Sequence, residues 1–139
     1  MSYIAKTAKI LGNAKVEGDA KVEGNAKVEG NAHVFGGAYV RGNAVVRGNA
    51  NVSGNACVRG EARVYGNAQV GGDARIGGGS IVEENAKVGG DAMIWGDAKV
   101  RGIAEVSGRA WVGEDSILEG DVLISSGHIR NVYWWRDVP

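Results

Sequence analysis

From Ile4 to Ile124 every sixth residue is aliphatic, 21 positions with no break and no insertion. Two residues before each, between residues 8 and 122, stands Ala, with Ser80 and Ser116 in its place and Val122 as a larger variant. Two residues after each, from Gly12 onward, stands Gly, replaced by Glu84, Glu114 and Ser126; the next residue is mostly Asn or Asp. Small-x-aliphatic alternation puts both residues on one face of a short strand. Gly-Asn or Gly-Asp then supplies a turn, where Gly accepts positive φ and the Asx side chain bonds local backbone. A period of six smears around a 3.6-residue helix, and Gly at every sixth residue would cost a helix roughly 1 kcal/mol each.

Two all-β arrangements fit this pattern. A meander of hairpins would leave its single apolar face open. A solenoid with three hexads per coil closes that face on itself and stacks residue i on i+18. The charges favour the second. At that spacing Glu23 meets Arg41, Glu29 meets Arg47, and Arg101 lies between Glu83 and Glu119, whereas a spacing of six gives Glu17-Glu23-Glu29 and Arg41-Arg47. Opposite charges on neighbouring strands stabilise by a few tenths to about 1 kcal/mol. Arg41 over Arg59 is the counterexample. The expected fold is all-β, a parallel β-helix of about seven coils and roughly 33 Å at the usual inter-strand spacing.

The repeated unit, as in Val16-Glu17-Gly18-Asp19-Ala20-Lys21, resembles the hexapeptide repeat of left-handed parallel β-helix proteins over residues 4 to about 125. The left hand comes from that resemblance, since chain sterics alone favour right-handed crossovers. The Gly-Asn-Ala-x-Val variant is similar to that of small bacterial and phage hexapeptide proteins, which are commonly labelled transferases. The resemblance implies acyltransferases using acetyl-CoA, with a catalytic His near a subunit boundary and a loop protruding from a coil. The unbroken aliphatic register leaves no room for such a loop. The family also includes γ-class carbonic anhydrases, which need three His ligands for zinc; this chain has two His.

The division expected is 1–125 for the β-helix and 126–139 for a C-terminal tail. That tail carries Ile129, Val132, Tyr133, Trp134, Trp135 and Val138 and reads as a cap over the last coil, or folded back along a flat side, or as an oligomer contact.

Side one of the prism shows Tyr39, Arg41, Cys57, Arg59, Arg75, Met93, Trp95 and Trp111 outward. Side two alternates Glu29, Arg47, Tyr65, Glu83, Arg101 and Glu119 and reads as solvated. Side three shows Phe35, then Ser53, Gly71, Gly89 and Ser107, a smooth strip. Exposed aromatics with Met and Arg have the composition of an interface core. Tyr39, Arg41, Arg59, Arg75, Met93, Trp95 and Trp111 are therefore the expected binding residues, with Tyr133, Trp134 and Trp135 as cap or interface. Arg-aromatic neighbours could also take a nucleotide or another anion.

No catalytic residue is assigned. His33 and His128 are the two candidates for a base. His33, just before Val34, reads as an outward polar position; Glu17 and Asn51 share its side of the prism, which alone orients nothing. Cys57 lies between Tyr39 and Arg75 in its column and reads as a surface thiol. A Thr ladder of the ice-binding kind is excluded, since Thr7 is the only threonine.

Sixteen Lys and Arg balance sixteen Asp and Glu. That balance argues against a generic nucleic-acid or anionic-membrane binder. One cysteine and the absence of a secretory signal pattern point to the cytoplasm. The expected protein is a non-catalytic homo-oligomer, dimer or trimer, without metal or cofactor, that serves as scaffold or binding module for a protein or a small anion. The alternative is an acyltransferase with its site between subunits.

Overall fold

The computed structural model describes residues 1–136; Val138, named above with the tail, lies outside the described residues. Among the described residues twenty-three short strands, all parallel, wind into three sheets of eight, eight and seven strands. Through Ile124 each strand pairs with the one eighteen residues on, as in Tyr39 with Cys57 and Val40 with Val58. No helix is present among the described residues. None is therefore long and apolar enough to cross a membrane.

The interior is the expected one. From Ala20 to Leu118 the alternating Ala and aliphatic residues are fully or almost fully buried. Ser80, one of the two serines in that column, donates its hydroxyl to the Gly77 carbonyl at 2.6 Å. The outward residue of each strand donates its N–H to the next coil, as Lys21 does to the Ala38 carbonyl at 2.9 Å.

The corners differ from expectation in one respect. Their Asn side chains bond the next coil rather than local backbone. Asn13, Asn31, Asn49 and Asn67 each donate Nδ2 to the Oδ1 of the Asn eighteen residues on, ending at Asn85, at 3.2–3.3 Å. Where Glu84 and Glu114 replace corner glycines, the backbone keeps φ of 60° and 56°. Each Glu then makes a compensating bond. Glu84 accepts from the Gly102 N–H at 2.8 Å, and Glu114 accepts from the Asn131 side chain.

The tail continues the winding instead of folding back along a side. The strand His128–Arg130 pairs with Trp111–Gly113 at an offset of 17, and Tyr133–Arg136 pairs with Ile117–Gly120 at an offset of 16. Both corners of this last coil are one residue short. Ile129 thereby stacks on Val112 and packs against the core, and Trp134 stands over Leu118. Among the described residues the third sheet stops one strand earlier, at Leu123–Ile124.

Corner and face glycines respond differently to a side chain. Gly78 has φ of +64°, and a Cβ there would sit 2.6 Å from the Gly96 carbonyl oxygen; at Gly89 a Cβ would meet nothing within 4 Å. Gly78→Ala is expected to cost about 2 kcal/mol or more, from left-handed strain plus the backbone clash. Gly89→Ala should leave stability unchanged or raise it by up to about 1 kcal/mol by restricting the unfolded chain. Urea midpoints of the two variants check this.

Candidate functional site

Side one is built from two outward columns. Before the aliphatic position stand Tyr39, Cys57, Arg75, Met93, Trp111 and His128, paired one coil to the next. After it stand Arg41, Arg59, Gly77, Trp95, Gly113 and Arg130. The glycines in the second column are floors. The Arg59 stem lies on Gly77, 3.6 Å from where a Cβ would be, and the Trp95 ring lies on Gly113, where a Cβ would come within 2.5 Å of Cε2. The Arg59 stem and the Trp95 indole are thus laid along the sheet in the column beside Arg75 and Met93. Arg41 sits 5.0 Å from the Tyr39 ring centroid, a cation-π distance. Tyr39 in turn donates its hydroxyl to Glu23. Its ring therefore stands between Glu23 and Arg41, which share a column as expected.

The far end of side one holds a second arrangement. Trp111 stacks on His128 with ring centroids 4.6 Å apart and planes 9° off parallel. These rings, Trp95, Ile129 and Arg130 line a hollow of about 220 Å³. His128 is exposed and its ring partner is an indole, which does not orient an imidazole for proton transfer. Cys57 is a half-buried free thiol.

Side three carries a groove of about 390 Å³. Its floor is Ser53, Gly71, Gly89 and Ser107 over Val70, Val88 and Val106; Phe35 closes one end. Asn51, Gln69, Lys87 and Glu105 stand along one rim. Beyond Phe35, His33 makes a contact its column position does not disclose. Its Nε2 meets the Glu17 carboxylate, and its ring lies 4.4 Å from Phe35. A second hollow of about 390 Å³ opens beside it, lined by Asn13, Lys15, Asn31 and Asn51. The sixteen-residue offset between His33 and Glu17 spans the two columns diagonally. Only side-chain reach, not column membership, could have revealed it.

Side two carries an ion pair and a cation-π contact. Arg101 Nε donates to Glu119 at 2.6 Å, and Arg47 lies 4.9 Å from the Tyr65 ring centroid. The Glu83 carboxylate, accepting from the Tyr65 hydroxyl, raises that phenol above its ordinary value, with burial adding to the effect. The terminal ammonium of Met1, bonded to Asp19, holds that carboxyl below its ordinary value. Among the described residues no three His, Cys, Asp or Glu side chains group as a metal site.

The glycine floor makes a direct prediction. Gly113→Val places methyl groups where the Trp95 ring lies, so the indole is levered into solvent. Tryptophan emission should shift to longer wavelength while the far-ultraviolet circular dichroism stays that of the parent. An unchanged emission maximum would mean the ring does not rest on Gly113. Comparison with family models and with curated proteins found no match for this chain.

Proposed function

We propose that this chain is a rigid, non-catalytic binding module or scaffold, wound as a left-handed hexapeptide β-helix in the cytoplasm and working as a homo-oligomer. The observation that carries this reading is the prepared face of side one. Arg59 and Trp95 lie flat on glycine floors, with Arg41, Arg75, Met93 and Trp111 beside them. Flattened, partly immobilised aromatic and guanidinium groups lose little side-chain freedom on binding, which is what interface anchors need. The shallow floor of the side-three groove offers a second copy a close approach, because Gly71 and Gly89 add no bulk. The same Arg-aromatic face suits a small planar anion, held by ring stacking and guanidinium hydrogen bonds. Capture of such a ligand, as by a phage-type inhibitor, is a use this face supports.

A second reading, an acyltransferase using acetyl-CoA between subunits, is favoured by one contact. A carboxylate against an imidazole, as Glu17 stands against His33, is the arrangement that orients a general base. The hollow beside His33 would have to hold the reacting groups.

Sedimentation separates the readings. Trp95→Ala with Trp111→Ala should weaken side-by-side association by about tenfold or more, the effect of losing interface anchors. An assembly mass unchanged from the parent would make side one inert surface. Acetyl-CoA in excess should raise the melting temperature of a transferase, and His33→Ala should abolish its turnover. No thermal shift and no turnover would remove the second reading.

A further inference from the structure

We propose that copies of this chain also stack end to end, the first coil of one copy continuing the sheets of the last coil of another. The proposal shares with the reading above only the idea that the partner is a second copy. It uses different surfaces.

Both ends of the winding are unfinished in complementary ways. At the first coil the inward residues Ile4, Ile10 and Val16 are not fully covered, and Tyr3 and Leu11 are exposed. At the last coil Leu123, Tyr133, Trp134 and Trp135 are exposed, and a hollow of about 390 Å³ opens between Leu123–Ile124 and these three aromatics. Among the described residues no strand pairs with the outer edge of Leu123–Ile124. Such an edge is a template for another strand.

The register of the fold says which strand fits. Among the described residues the winding reaches side two and is one strand short on side three. A second copy turned by one third of a revolution supplies Tyr3–Ile4 at that missing place. Its Lys9–Ile10 then lies on His128–Ile129, and its Lys15–Val16 on Tyr133–Trp134. Inward residues meet inward residues: Ile4 on Ile124, Ile10 on Ile129, Val16 on Trp134. Outward, Tyr3 meets Leu123 and Lys15 meets the Tyr133 ring. The outward residue of each strand donates its N–H toward the following coil throughout the fold. By that rule the Leu123 N–H faces the Ser2 carbonyl of the arriving copy.

Charge selects unlike ends. Residues 1–18 carry Lys6, Lys9 and Lys15 against Glu17, while residues 113–136 carry Glu114, Asp115, Glu119 and Asp121 against Arg130 and Arg136. The chain as a whole is neutral, so its charge is segregated along the axis. Contacts between like ends set like charges against each other, and contacts between unlike ends do not. The assembly is therefore polar and open, a head-to-tail contact that does not close on itself.

Sedimentation of the full chain over a wide concentration range tests this. The mass should rise with concentration without stopping at a closed oligomer, and added salt should reduce the rise. Ile4→Lys blocks the first end. Leu123→Pro removes the N–H of the open edge and blocks the second. Each alone should associate about tenfold more weakly or worse, and an equimolar mixture should form a one-to-one complex, because each variant keeps one intact end. Circular dichroism verifies that both fold. Should Leu123→Pro fail to fold, replacing Lys6, Lys9 and Lys15 by Glu tests the same contact from the surface, with weaker growth expected.

Four results would each overturn the proposal. These are a parent mass independent of concentration, a single-end variant that grows as the parent does, a mixture that stays uncomplexed, and unchanged growth of the Glu variant. The Trp95→Ala, Trp111→Ala protein should keep this end-dependent growth, so loss of the lateral contact and loss of the end contact read separately.

Discussion

Each coil of this protein is positioned by one set of backbone hydrogen bonds to the coil after it, and those bonds require every coil to have the same outline. Three consequences follow. The corners must turn in the same way, so a left-handed backbone conformation recurs at the residue two after the aliphatic position from Gly12 to Gly120, Glu84 and Glu114 included. Corner backbones of successive coils come so close that a Cβ at Gly78 or Gly90 would stand 2.6 Å from the next corner. The interior must be filled by residues of nearly constant size, which the Ala and Val columns supply. A residue inserted within a strand would push the rest of that strand to the opposite face, whereas a corner absorbs a change of one residue, as the two shortened tail corners do.

That constraint explains what could be read from the sequence. The aliphatic period announces the strands, the like charges at a spacing of six exclude neighbouring hexads as partners, and the column through Arg101 and Glu119 reports the coil length. The Arg101–Glu119 pair is formed. What could not be read lies where the constraint is relaxed or where side chains cross columns. In the tail both corners shorten by one residue, so a search at six residues loses the period, although Ile129 and Trp134 still occupy inward positions. Glu17 and His33 meet across columns. Tyr39 takes Glu23 as its acceptor and Arg41 as its cation, so a pair expected as an ion pair becomes a three-part stack.

The same uniformity explains why function is hard to read here. Residues under selection for packing repeat at every sixth position and say nothing about a partner. Only the outward positions are free to carry information. There, glycine has two separate meanings. At Gly77 and Gly113 it is covered, by Arg59 and Trp95 respectively, and serves to lay a neighbour flat. At Gly89 nothing covers the strip, and at Gly71 only the small Ser53 hydroxyl comes near, so the sheet surface itself is left accessible, forming the groove of side three. One side is thus raised with flattened rings and guanidinium groups, and another is lowered, on a scaffold whose interior does not register the difference.

The ends are the exception to this separation of fold from surface. Along the sides, an outward residue can change with little effect on the core, because its strand is hydrogen-bonded on both edges. At Tyr3–Ile4 and Leu123–Ile124 one edge has no strand partner among the described residues. There the inward residue, the backbone edge and the outward residue all face whatever comes next. A solenoid deals with such an edge by capping it or by continuing it. The tail does both in part: Trp134 stands over Leu118, yet among the described residues the third sheet is one strand short. An end that were only a cap would gain by closing that last strand and by carrying the same charge as its opposite number. Among the described residues this end leaves the strand open and carries the opposite charge, the two features on which the proposed end-to-end contact rests.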